Sequence, residues 1–263
     1  MGIDRSLGSR IVSLTPSITE LLFALGMDDR VVGVTDSCDY PAAASKKPNV
    51  LCWFEPDLEK LMALKPDTVL GSETAHLYLV TVLEREGIRV ILVNPKTVDQ
   101  ALQTMIDLGD RFGVSAEAGA LVEGLQNRLN LLVEKVGSIA PEKRLTVSRV
   151  LEWDDDLFYV AGPLSSQYDV IARGGGINVT GALNTDYPKI PFTQLLEWNP
   201  EMVFICGYDT HLIPRLIQDQ KWRRLDAVQS GRIYQFHCGL TCRTGPRIVD
   251  MAELLFQKLY TDG

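Results

Sequence analysis

The sequence predicts an α/β fold of two Rossmann-like lobes, each built on a parallel sheet and joined by one long α-helix. Three observations carry this. The stretch Ser115 to Val136 is mostly good helix formers, with Leu121, Val122, Leu125, Leu129, Leu132, Val133 and Val136 spaced as one apolar stripe. The chain reads alike on either side of it: Asp57 to Gly71 and Phe192 to Gly207 are each a short amphipathic helix, broken at Pro66 or Pro200, then a β-branched strand ending in glycine. Strands also alternate with helices throughout, which argues for parallel sheets covered on both faces. The expected division is an N-terminal lobe at 1–113, a connecting helix at 114–137 and a C-terminal lobe at 138–263, with the lobes facing each other across a cleft. The alternative is one larger α/β domain whose short strands merely resemble each other.

In chain order, Arg10–Leu14 reads as a buried strand and Thr15 as the cap of a helix with Pro16 at its first position. Arg30–Val34 is the next strand, followed by a long loop, Thr35 to Pro56. Loops of this length are usually functional or disordered, and this one carries Tyr40, Trp53 and Phe54. After the first repeat come a helix from Ala75 to Gly87, a strand Arg89–Val93 and a helix Val98–Phe112. The second half predicts strands Leu145–Leu151 and Leu157–Ala161 around the polar turn Asp154–Asp156. A helix from Ser165 and Ser166 runs to the Gly174–Gly176 stop, and a loop Asn178–Pro191 carries Tyr187. After the second repeat follow a helix Ile213–Gln220, a strand Arg232–Phe236 and a final helix Pro246–Tyr260.

Composition narrows the function. The 263 residues carry a net charge of −8 with no dense Lys/Arg run, which argues against a nucleic-acid partner. No apolar run reaches the roughly 18–20 residues that span a bilayer. Met1 to Arg10 has two arginines and no apolar core of a secretory leader. A periplasmic or cell-surface location therefore implies a leader ahead of this sequence, and the alternative is the cytoplasm. Cys38, Cys52, Cys206, Cys238 and Cys242 are irregularly spaced and read as single thiols; Cys238-x3-Cys242 lacks the second pair of a zinc knuckle.

Catalytic signatures are missing from the sequence. There is neither a Gly-x-Ser-x-Gly elbow nor a Walker loop, and Gly174-Gly-Gly176 ends a helix rather than opening one. His76, His211 and His237 share no metal-site spacing. Asp209-x-His211 begins like a corrinoid-ligating motif, but Pro214 stands where that motif has glycine. No catalytic residue, catalytic cofactor or metal site is expected, so the chain reads as a binding protein rather than an enzyme. Ligands of such sheets lie outside the carboxyl ends of the strands. The loops there carry Tyr40, Trp53, Phe54, Ser72, Tyr159, Tyr187 and Arg243. Their aromatics are either lids over the lobe cores or the wall of a wide site for a large, flat, partly apolar ligand.

Ser13-Leu-Thr-Pro-Ser-Ile-Thr-Glu-Leu-Leu22, Asp39-Tyr-Pro41, Trp53, Leu58-Glu-Lys-Leu61, Ala63-Leu-Lys-Pro-Asp67 and Gly245-Pro-Arg-Ile248 together resemble the helical-backbone metal-receptor family. These are the substrate-binding proteins of ABC importers for cobalamin, haem and iron–siderophores, of the class III periplasmic-binding-protein type. The resemblance runs from about Arg10 to Tyr260 and is strongest to the cobalamin-binding members. It implies a monomer that captures cobalamin or a related corrinoid and delivers it to an ABC permease. Tyr40 and Trp53 then stand as first-lobe walls of the site, and Tyr159, Tyr187 and Arg243 as second-lobe counterparts. Ser72 falls where cobalamin-binding members have an aromatic. The family docks on its permease through one surface glutamate per lobe. Glu59 matches the first; the second position holds Thr193, with Glu197 four residues further on. The alternatives are a siderophore or haem carrier of the same family, and a cytoplasmic corrinoid-handling protein or enzyme.

Overall fold

The computed structural model describes residues 8–154 and 156–261. Most of the stretch Met1 to Arg10, and Asp155 of the acidic turn, lie outside the described residues. The chain forms two compact units. The first comprises Met1–Pro95, Asp99–Leu125 and Arg243–Pro246, and the second Lys96–Val98, Gln126–Cys242 and Arg247–Gly263.

The first unit contains β1 (Ile11–Ser13), α1 (Pro16–Ala24), β2 (Val31–Val34), α2 (Leu58–Ala63), β3 (Thr68–Ser72), α3 (Glu73–His76), α4 (Val80–Arg85), β4 (Arg89–Val93) and most of α5 (Val98–Phe112). Its sheet has the order β2-β1-β3-β4 and is parallel throughout. β1 and β3 are buried along nearly their whole length, as the small and apolar side chains of IVS and TVLGS suit in central parallel strands. Val12, Leu14, Leu61, Val69, Leu79 and Leu83 make the core on one side of it. The helix expected over Ala75–Gly87 is interrupted. A 3-10 turn at Leu77–Leu79 separates α3 from α4, because His76 turns its side chain back toward β3.

Helix α6 (Ser115–Gly137) is continuous over 23 residues, and the boundary between the units falls within it. Its buried stripe is narrower than expected: Leu125, Leu129, Leu132 and Val136 are buried, whereas Val133 is 55% exposed. The narrower set keeps strict three- and four-residue spacing. In the first unit, Ala118 of α6 sits so close to Gly109 of α5 that a Cβ on the glycine would meet it at 2.3 Å. In the second, Arg128 bonds Asp250 and Glu253 of α12 (Ile248–Tyr260).

The second unit continues with β5 (Thr146–Asp154), β6 (Leu157–Val160), α7 (Ser166–Arg173), β7 (Ile177–Asn178), β8 (Lys189–Pro191), α8 (Phe192–Trp198), β9 (Met202–Cys206), α9 (Leu212–Gln218), α10 (Asp226–Gln229), β10 (Ile233–Phe236), α11 (Cys238–Thr241) and α12. β10, β9, β5 and β7 run parallel, but β6 and β8 join antiparallel, so this sheet is not parallel throughout. The cause is local: the turn between β5 and β6 is too short for the crossover that a parallel pair needs. A cluster around Phe158, Phe192, Leu195, Val203, Ile205 and Trp222 fills the space beneath α8 and α9. No helix among the described residues is long and apolar enough to cross a membrane.

Candidate functional site

In the first unit, Trp53, Phe54, His76 and Tyr78 gather around Ser72 at the carboxyl end of β3. Ser72 ends that strand, and its N–H donates to Nδ1 of His76 at 2.9 Å. That bond fixes the tautomer: Nε2 carries the proton and donates to the carbonyl of Trp53 at 2.6 Å. His76 is wholly buried, and its titration is displaced downward because burial penalises the charged imidazolium more than the bond to the Trp53 carbonyl favours it. Gly71 makes the arrangement possible, since a Cβ there would meet Nδ1 at 2.8 Å. The imidazole thus acts as a neutral clamp between a strand end and the aromatic loop.

The clamped loop presents rings. Trp53 packs on Phe54 with centroids 4.2 Å apart and meets His76 edge-on at 6.3 Å. Its Nε1–H is buried with no hydrogen-bond partner among the described residues. Phe54 is 61% exposed, and Tyr78, which the sequence reading passed over, is 55% exposed and donates to the Phe54 carbonyl at 3.1 Å. Tyr40 is also exposed. Tyr40, Phe54 and Tyr78 therefore leave much of their side-chain surface in solvent.

Arg243 requires a correction. It belongs to the first unit, not the second, and its guanidinium is committed there. It meets Glu20 at 2.7 Å and Asp39 at 2.6 Å, and donates to the Ser37 carbonyl at 2.9 Å, with 9% of its side chain exposed. Arg243 therefore ties two motif fragments distant in sequence together, through a buried pair with Glu20 and a half-exposed pair with Asp39 that holds the Asp39-Tyr-Pro41 loop. Removing either partner would strand the other charge.

In the second unit, Tyr159 lies on β6 with Lys189 over its ring at 5.3 Å. Tyr187 is 39% exposed, donates to Oε1 of Gln167 at 2.9 Å, and has its phenol pushed upward in pKa by the burial of its hydroxyl end. Its loop is seated by close backbone approach: Gly162 donates to the Asp186 carbonyl at 2.7 Å, and a Cβ on Gly162 would collide with the Thr185 carbonyl at 2.1 Å. Lys96 pairs with Asp186 at 2.7 Å. Tyr208 follows β9 and is 65% exposed, edge-on to the exposed His237 with centroids 4.8 Å apart. It occupies in the second repeat the place that Ser72 occupies in the first, and the Gly71/Gly207 alignment in the sequence could have found it. His211 is the N-cap of α9, with Asp209 accepting its backbone N–H at 2.9 Å; the Asp209-x-His211 pair is a helix entry.

The reading of the cysteines as single thiols also needs correction. Cys38 is buried and Cys52 exposed, but Cys206, Cys238 and Cys242 bring their sulfurs within 4.8 Å of one another. Nη2 of the buried Arg149 lies 3.1 Å from the sulfur of Cys242 and 3.4 Å from that of Cys206. Hydrogen bonds from Cys238 and Cys242, with Arg149 nearby, hold the Cys206 thiol far below its ordinary range. The residues matched to docking are all exposed: Glu59 in the first turn of α2, and Thr193 and Glu197 on α8, where Glu197 accepts from Gln194 at 3.0 Å.

Comparison with known proteins agrees with this architecture. The uncharacterized ABC transporter substrate-binding lipoprotein YvrC of Bacillus subtilis is 28% identical over 261 residues, covering 96% of this chain and 80% of its own. The vitamin B12-binding protein of Photorhabdus laumondii is 26% identical, covering 97% of this chain and 89% of its own. Among solved structures, a periplasmic heme binding protein from Pseudomonas aeruginosa superposes with a TM-score of 0.86 at 25% identity, over 97% of this chain and 94% of its own. The sequence pattern of the periplasmic binding proteins matches residues 11–237, and the chain belongs to that family.

Proposed function

We propose that this protein captures a corrinoid of the cobalamin type outside the cytoplasm and delivers it to an ABC importer, acting by binding without chemistry. The observation that carries the ligand class is the exposure of Tyr40, Phe54 and Tyr78 in one unit and Tyr159, Tyr187 and Tyr208 in the other. Large aromatic side chains kept partly in water suit a broad, flat macrocycle with a polar fringe. The B12-binding relative supports the choice of corrinoid. Incubation with cyanocobalamin, desalting and a visible spectrum test it: one retained corrinoid per chain is expected. Passage of all the colour into the low-molecular-weight fraction overturns it.

Haem is the second reading, favoured by the exposed Tyr208–His237 pair and by the likeness to the heme binding protein. The Gly239 N–H occupies Nδ1 of His237 at 3.0 Å, so an iron would meet Nε2 or the Tyr208 phenol. Retention of haemin but not cyanocobalamin, with a Soret band that shifts in Tyr208→Phe, selects this reading.

Delivery rests on Glu59, whose carboxylate would steer encounter with a permease arginine. Thr193 has no charge to offer, so docking is asymmetric. Glu59→Ala is expected to abolish most permease stimulation in reconstituted vesicles, and Thr193→Ala to change little. Unaltered uptake with Glu59→Ala would remove Glu59 from the docking surface.

A further inference from the structure

The three converging thiols are unlike anything the aromatic site needs. Cys206 is the last residue of β9, while Cys238 opens α11 and Cys242 caps it, four residues apart and so on one helical face. The sheet and the short helix together bring three sulfurs within 4.8 Å, with Cys206 and Cys242 at 3.5 Å. Metal–sulfur bonds of about 2.3 Å place ligand sulfurs roughly 3.8–4.0 Å apart, inside that range. The second observation is Arg149 on β5. It is 1% exposed, its Nη2 faces two of the sulfurs, and its Nε and Nη1 have no hydrogen-bond partner among the described residues. A buried guanidinium needs anions beside it, and here its neighbours are sulfurs.

We propose that Cys206, Cys238 and Cys242 form a trithiolate site for a thiophilic divalent cation of the zinc class, with Arg149 as its buried counter-charge. Three thiolates, one divalent ion and one guanidinium together carry no net charge, which offsets the cost of the buried Arg149 charge. Soft sulfur ligands select such ions over magnesium or calcium. With three protein ligands the ion keeps a fourth position open. The site does not depend on the ligand proposed above.

The test uses the full chain, fully reduced, with Zn2+ and with Cd2+ as a spectroscopic probe. One ion per chain should survive desalting, with the ultraviolet charge-transfer absorption of cadmium thiolates. Bound metal should protect Cys206, Cys238 and Cys242 from alkylation while Cys52 still reacts, as mass spectrometry of the unmutated protein would read. Cys206→Ser, Cys238→Ser and Cys242→Ser should each weaken binding by at least the roughly 10- to 100-fold that loss of a supporting group alone brings; Cys52→Ser should leave it unchanged. Sub-stoichiometric uptake, equal protection of Cys52, or a Cys206–Cys242 disulfide in protein that takes up no metal after reduction would each overturn the proposal.

Discussion

Between Asp57 and Ser72, and again between Pro191 and Tyr208, the backbone makes the same passage. A short helix ends in a residue of positive φ, Lys65 at 48° or Asn199 at 41°, directly before a proline. An acid follows and reaches back to the start of the neighbouring central strand. Asp67 accepts the backbone N–H groups of Gly8, Ser9 and Arg10 at 2.8–3.0 Å, and Glu201 accepts Thr146 N–H at 2.9 Å and its hydroxyl at 3.1 Å. The strands then pair in matching register, Ile11 with Thr68 and Val147 with Met202. Beyond the strand ends the likeness stops: one repeat leads to a buried histidine clamp, the other to an exposed tyrosine and a nest of thiols. The two units share the amino-end scaffold, which sets register, and differ at the carboxyl ends, where side chains are available to ligands.

The largest expected effect tests that divergence. His76→Ala should remove about 2–4 kcal/mol of stability in denaturant unfolding, because it leaves a cavity and an unpaired carbonyl and amide. Tyr208→Ala, at the exposed end of the other repeat, should stay within about 0.5 kcal/mol. His76 also gives a pH signature. Its folded pKa lies below its unfolded value, so the unfolded chain binds the proton first. Its contribution is therefore intact above pH ~6.5 and is lost as pH falls toward the depressed folded value. His76→Gln should flatten that part of the stability profile; an unchanged profile would mean that the imidazole is not held neutral.

Next in size is the shared scaffold. Asp67→Ala and Glu201→Ala should each lower stability by about 1–3 kcal/mol, Asp67→Ala more, since it strands more backbone donors. Burial opposes the Asp67 charge, yet the bonds from Ser9, Thr68, Arg10 and Gly8 outweigh it and lower its pKa. That stability is present above pH ~3.9 and lost as pH falls through the lower folded value. A larger loss from Glu201→Ala would break the equivalence of the repeats.

Ligand titration separates the carboxyl ends. Trp53→Ala should weaken corrinoid binding by about 1–3 kcal/mol and cost about 1 kcal/mol of stability, because the residue is partly buried and packs on Phe54. Tyr208→Ala should weaken binding with no loss of stability. The smallest effect concerns the strained residues. Lys65→Gly should stabilise by about 0.5 kcal/mol through relief of its left-handed backbone. Asn199→Gly should gain nothing, because Oδ1 of Asn199 accepts the Asp226 N–H at 2.9 Å. Equal gains at both sites would show that this hydrogen bond contributes little.

What the sequence determined by itself was local and periodic. The helices Val98–Phe112 and Ser115–Gly137, the strand Arg89–Val93 and the repeated helix–Pro–strand unit are written in neighbouring residues, whose spacing decides which faces are apolar. The aromatic loops were legible because large rings stand where no periodicity explains them. Tertiary structure decided whatever depends on partners distant in the chain. Arg243 looked like a ligand cation until Glu20 and Asp39 met it, and His76 looked idle until the Trp53 carbonyl came within 2.6 Å. Cys206 joined Cys238 and Cys242 only because β9 and β10 are neighbours in the sheet. Spacing along a chain reports which residues share a face of one element. Which elements share an end of a sheet follows from strand order, and strand order is set by the burial of many residues at once.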